Sequence, residues 1–194
     1  MSQTFLLSPD LNNVLYQGVD NPLTVIVQNV NCEFIVLNGQ GCQIKKVGCK
    51  YTINPDSSGI LKLLVFKKQN SRIIKLGESN FRVRELEKPI ARVGNIKERK
   101  TSTRVLRVMG GVIATLENQT ICADFYVISY HFMIISQNGT YLNIVNDGPK
   151  FNKQILDALE RASINDRIVI SDIKVQYPNG SFEYIMPIEH IISD

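Results

Sequence analysis

Through the first half of the chain, apolar and polar positions alternate in short runs. Residues 23–27, 33–37, 43–47, 51–53, 60–67, 72–76 and 79–85 are rich in β-branched and aromatic side chains, and Gly, Asn, Asp and Pro stand between them. Runs spaced by about 8 to 12 residues with turn chemistry between them predict an antiparallel sandwich. In the last run Phe81 and Val83 alternate with Arg82 and Arg84, so one face is core and the other wet. Near the start, a short strand ends in Gln17-Gly18 and a tight turn follows on Val19-Asp20-Asn21-Pro22, because Asn and Pro preset turn geometry. Tyr16, Gly18, Asp20, Asn21 and Pro22 together form this predicted structural turn motif. Pro89 cannot donate to a ladder and ends the last strand. The pattern predicts a mainly β protein of two domains: an immunoglobulin-like sandwich over 1–88, without the Cys and Trp marks of antibody domains, and a β-rich domain over 89–194.

The second half mixes periods. Residues 101–108 predict a short helix capped by Thr101 or Ser102, and Gly110-Gly111 lets the backbone turn into a strand over 112–116. In the long apolar stretch 124–136 the even positions Tyr126, Ile128, Tyr130, Phe132 and Ile134 are the more apolar, which predicts a strand buried through them. Asn138-Gly139 and Asn179-Gly180 predict hairpins with type I′ turns. Between them lies the main helix, at about 152–162. Asn152 caps it, Phe151 stands at the staple position towards Leu156, and Ile155, Leu159 and Ala162 recur on one face. The following strand shifts its apolar parity from Ile168 and Ile170 to Ile173 and Val175, which predicts a bulge near Ser171-Asp172.

Composition narrows the class. At 194 residues, with 44% hydrophobic and 21% charged residues, the chain can bury a real core and is not disordered. No apolar run approaches the roughly 18 residues of a membrane helix. The opening residues lack a basic n-region and an apolar core long enough for a signal peptide, so with Met1 as native start the expected location is cytoplasmic. Net charge is +4, yet Arg92, Lys97, Arg99, Lys100, Arg104 and Arg107 stand against Glu98 alone. A solvated linker is the first reading of this run and a docking surface for an acidic protein the second. No aromatic interleaving supports nucleic acid.

Candidate chemistry is sparse. Cys32, Cys42, Cys49 and Cys122 match no paired zinc spacing, and only His131 and His190 would complete a site, so neither metal nor cofactor is expected. In an oxidising compartment two of the first three cysteines can pair; in a reducing one all are small apolar groups. No nucleophile elbow or phosphate-cradling loop occurs. His131 sits in an apolar strand and reads as a half-buried structural or interface residue, while His190 lies in a final strand whose polar residues are expected to face outward. Asp166 and Asp172 flank a strand without an evident partner. No catalytic residue is assigned, and the expected class is a binding or structural protein.

Several stretches carry a resemblance. NVLYQGVDNPLT at 13–24 and FRVRELEKPIARVG at 81–94 resemble the C-terminal periplasmic region of the GldM/PorM family, the envelope-spanning component of gliding motility and type IX secretion in Bacteroidetes. LGESNFRVRE, GGVIATLEN, DRIVISDIK and PNGS are similar to family patterns in the same order. The resemblance implies the last two periplasmic domains of a shaft, dimeric in the family, that meets ring lipoproteins at the outer membrane. It implies a periplasmic location, with membrane attachment only through N-terminal parts that this chain does not carry. Arg82, Arg84 and Arg92 are the expected interdomain or partner-contact residues. The rival expectation is a stand-alone sandwich module for adhesion or for glycan or peptide binding.

Overall fold

In the computed structural model, residues 5–9, 14–70, 72–117, 123–136 and 139–193 are described. The chain forms two compact units, Met1–Leu86 and Glu87–Asp194.

The first unit is a sandwich of two four-stranded sheets. One sheet has the order β1 (Phe5–Pro9), β3 (Asn21–Val27), β6 (Lys50–Pro55), β5 (Cys42–Val47). The other runs β2 (Val14–Tyr16), β8 (Arg72–Arg84), β7 (Gly59–Gln69), β4 (Ile35–Gly39). Alternation does the sorting: in β3, Leu23, Val25 and Val27 are buried while Pro22, Thr24 and Ile26 are exposed. Leu15, Ile35, Ile53, Leu63, Val65 and Phe81 close the core from the second sheet and from β6. Strand β1 has no counterpart among the predicted strands. The runs 72–76 and 79–85 are one strand, because Gly77 continues the ladder opposite Val65 while Leu76 is the extra residue of a bulge.

At the end of the sandwich away from the chain exit, the sheets are stitched together. A 3₁₀ turn at Cys32–Phe34 leads into β4, and Cys32 is disulfide-bonded to Cys49 in the β5–β6 turn, with Cα atoms 5.4 Å apart. Lys46 Nζ donates to the carbonyls of Cys32, Glu33 and Ile35, and Tyr51 Oη donates to the Ile35 carbonyl as well. Cys42 is free, and burial followed by the charge of Asp56 pushes its thiol pKa up. Cys122 lies outside the described residues.

The second unit is built on a six-stranded sheet, β10 (Lys100–Thr101), β16 (Ile188–Ile192), β14 (Arg167–Gln176), β12 (Tyr126–Ser136) and β13 (Gly139–Asp147), with β15 (Phe182–Ile185) also paired to β14. A separate ribbon joins β9 (Ile90–Val93) to β11 (Val112–Thr115). Helix α1 (Thr103–Met109) is capped by Ser102 and stopped by Gly110 at φ 66°. Helix α2 (Lys153–Arg161) is capped by Asn152, whose side chain accepts from the Ile155 amide. Its Ile155, Ala158 and Leu159 enter the same core as Phe132, Ile134, Ile168 and Ile170. Phe151 adds edge-to-face contacts with Tyr130 and Phe132.

Gly111 is the tight spot: a Cβ there would lie 2.4 Å from the Pro149 carbonyl oxygen, so only glycine lets the loop before α2 close against it. The loop is held from inside by Asn146, which donates to the carbonyls of Asp147, Gly148 and Lys150 and accepts from the Asn152 amide.

The parity break in β14 is a bulge as predicted, with Asp172 at φ 49°. Farther along the ladder β12 carries its own irregularity at Ile128, between the partners of Val175 and Lys174, so the core face shifts from even to odd positions: Val127 is buried and Tyr126 faces out. Around Asn179-Gly180 the turn is not type I′. Gly180 N donates to the Tyr177 carbonyl, Pro178 takes the first central position, and Gly180 alone has positive φ. Gly139 already pairs with Ser136, and Asn138 lies outside the described residues. Lys97 to Arg107 is no linker, since β10 and α1 are folded from it.

Candidate interaction surfaces

The turn motif near the start is organised by one side chain. Asn21 begins β3 and is buried, 6% exposed. Its Oδ1 accepts from the Tyr16 amide at 2.8 Å, and its Nδ2 donates to the carbonyls of Tyr16, Val19 and Ile53 at 2.8, 2.9 and 3.1 Å. One amide thus ties the end of β2, the turn and β6 together. Gly18, at φ 71°, donates its N–H to the Pro55 carbonyl, and Gln17 N donates to Arg84 O. Asp20 pairs with Lys45 at 3.3 Å and accepts from Asn54. Pro22 is exposed, opposite Thr52 in the ladder.

Arg82 and Arg84 project from the wet face of β8 into an open depression that Ser58, Ile60 and Asn80 also line. Neither makes an ion pair among the described residues. Arg92 belongs to the other unit, half-buried on β9, in a depression shared with Lys97, Glu98, Glu117, Glu189 and His190. Part of the basic run is neutralised: at the depression Glu189 bridges Arg99 and Arg167, at 2.6 Å to each, and elsewhere Arg107 of α1 pairs with Glu160 of α2. The hydrogen bond from Arg167 is the leading cause that lowers the Glu189 carboxyl pKa.

His190 reverses the expectation that polar residues of the last strand face outward. It is 3% exposed, because β16 lies between β10 and β14 and its ring faces the same way as buried Ile192. Its Nδ1 faces the Glu98 carbonyl at 3.1 Å, which makes Nδ1 the protonated nitrogen, while Nε2 has no hydrogen-bond partner among the described residues. Burial is the main cause that lowers its pKa. His131 is half-buried, with Nδ1 3.7 Å from exposed Asp172. Asp166 is buried and caps the Ser163 amide. No group of three or more His, Cys, Asp or Glu side chains among the described residues is placed to hold a metal.

The sequence reading missed an exposed row on the second unit. Tyr126, Gln176 and Phe182 are successive cross-strand partners over β12, β14 and β15, and Lys174 pairs with Tyr184 one row along. Tyr126, Phe182, Tyr184 and Met186 are 60%, 51%, 65% and 77% exposed. Lys174 Nζ lies 5.1 Å from the Phe182 ring centre. The available signal was the spacing of Phe182, Tyr184 and Met186 at every second position.

The fold is a β-sandwich followed by a β-rich unit with two helices, and the depressions on their surfaces are open. The family model for the GldM third domain matches residues 4–84, and that for the GldM C-terminal domain matches residues 88–192. The chain belongs to the GldM family, whose domains are structural components of gliding motility and type IX secretion. In full-length members these C-terminal domains are periplasmic. No helix among the described residues is long and apolar enough to cross a membrane. No curated protein matches the chain in sequence.

Proposed function

We propose that the chain is a non-enzymatic, load-bearing part of the periplasmic shaft of a type IX secretion or gliding machine, and that it contacts ring lipoproteins at the outer membrane. The observation that carries this reading is the order of the two matched domains, third then C-terminal, over almost the whole chain. Its physical character agrees: bearing load asks for hydrogen-bonded sheets with dry cores and needs no acid or base. The ladder of β7 with β8 and the two that β12 makes with β13 and β14 are the long ones that supply such stiffness. Arg82, Arg84 and Arg92, which have no ion partner among the described residues, are the contact candidates.

Co-purification of the chain with the ring lipoproteins encoded in the same genome tests this reading. Retention by the unaltered chain, and its loss in the Arg82→Ala, Arg84→Ala, Arg92→Ala triple variant, are the expected results. No retention by the unaltered chain overturns the reading. Equal retention by the triple variant removes the arginines from it.

A further inference from the structure

The exposed row on the second unit lies along an open sheet edge, and edge and row together specify a partner. Strand β15 pairs with β14 and with no other strand among the described residues. The hairpin fixes which backbone groups are free. Tyr177 N donates to Ser181 O at 2.8 Å, so residues 177 and 181 form a hydrogen-bonded pair. Such pairs alternate along an antiparallel ladder. Val175 with Glu183 and Ile173 with Ile185 are therefore the bonded pairs, and Phe182 and Tyr184 turn their N–H and C=O groups away from β14.

The same two residues carry the exposed rings, with Met186 continuing the alternation and Ile185 in the core. Exposed aromatic and methionine side chains gathered on one face are the composition of interface cores, whereas scattered ones mean little. Lys174, within cation–π distance of Phe182, makes no ion pair among the described residues.

We propose that β15 is a docking edge to which an extended segment of the ring protein adds as a further strand. This rests on the functional reading above. The occupant is specified by its chemistry. It is a β-strand that pairs with the outward backbone groups of Phe182 and Tyr184, places apolar side chains beside their rings at every second position, and brings a carboxylate to Lys174. A segment of this kind gains affinity from main-chain bonds and specificity from alternate side chains.

The test separates backbone from side chain. Tyr184→Thr removes the ring and keeps the outward N–H; Tyr184→Pro removes both without touching a bond of the β14–β15 ladder. Binding of the lipid-free ring protein to the full chain is measured by biolayer interferometry, with circular dichroism as the check on folding. The expected result is a several-fold loss for Tyr184→Thr and a further loss of at least tenfold for Tyr184→Pro. Should Tyr184→Pro fail to fold, Phe182→Ser and Met186→Ser carry the test, each expected to weaken binding several-fold. If the unaltered chain binds and the variants bind equally, the docking edge is overturned while the functional reading stands. If the unaltered chain does not bind, the functional reading fails first. A self-association that Tyr184→Pro abolishes, with ring binding unchanged, assigns the edge to a second copy and also overturns the proposal.

Discussion

Asn21 shows how much one buried amide does in this fold. Four backbone groups on three segments depend on it, and a buried polar group left without a partner costs about 1–3 kcal/mol. Asn21→Ala is expected to lower the stability of the first unit by roughly 2–4 kcal/mol, the high end for a broken buried network. The urea midpoint reads this directly, and a loss below about 0.5 kcal/mol would mean that the turn backbone holds itself. His190 has a different consequence. Burial depresses its pKa below the ordinary 6.5, so the unfolded chain binds the proton more readily than the folded one. Its contribution to stability is complete above pH 6.5 and is lost as pH falls from there through the folded value. The slope in that window is at most about 1.4 kcal/mol per pH unit for one proton. His190→Leu should flatten it, measured as the change of the second unit's unfolding midpoint between pH 7 and pH 5.5. An unaltered slope would place the proton elsewhere.

At the scale of elements, local patterning was legible where its cause was local. Most strands, the Asn152 cap and the bulge at Asp172 follow from alternation, capping chemistry and a break in parity. What escaped depends on distant partners. Tyr126 faces out because the irregularity at Ile128 shifts the parity of β12, and His190 faces in because β16 lies between β10 and β14 with its ring on the side of buried Ile192. Strand β1 exists through its register with β3, from Phe5 opposite Val27 to Pro9 opposite Leu23. Which two of three cysteines pair was likewise open until the 3₁₀ turn and the β5–β6 turn were brought together. The exposed β15 row was written in the sequence, but its meaning needed the open edge beside it. Two element-level outcomes follow. Gly111→Ala should cost the second unit more than about 2 kcal/mol, because backbone rather than a flexible side chain stands in the way; a near-neutral result in thermal unfolding would show that the Pro149 loop can move aside. Opening the Cys32–Cys49 bridge, which spans 17 residues of sequence, should cost the first unit about 3 kcal/mol by the chain-entropy relation. The Cys32→Ser, Cys49→Ser double variant should reproduce the effect of reductant, and Cys42→Ser should not.

For the whole molecule, each unit has its own core, one gathered around Ile53, Leu63 and Phe81 and the other around Phe132, Ile155 and Ile170. Among the described residues no core side chain of one belongs to the other, so the chain is expected to unfold in two transitions. The two levers described above fall on different units: the disulfide lies in the first, and His190 in the second. Reductant should therefore lower one midpoint, by roughly 10–20 °C for a domain of this size, and leave the other in place. Lowering the pH from 7 to 5.5 should move the second midpoint through His190, and His190→Leu should cancel that movement without touching the reductant-sensitive transition. Differential scanning calorimetry on the intact chain reads both at once. A single transition that responds to both treatments would show the two cores to be one cooperative body. Two transitions answering separately would show that each unit unfolds as its own cooperative body.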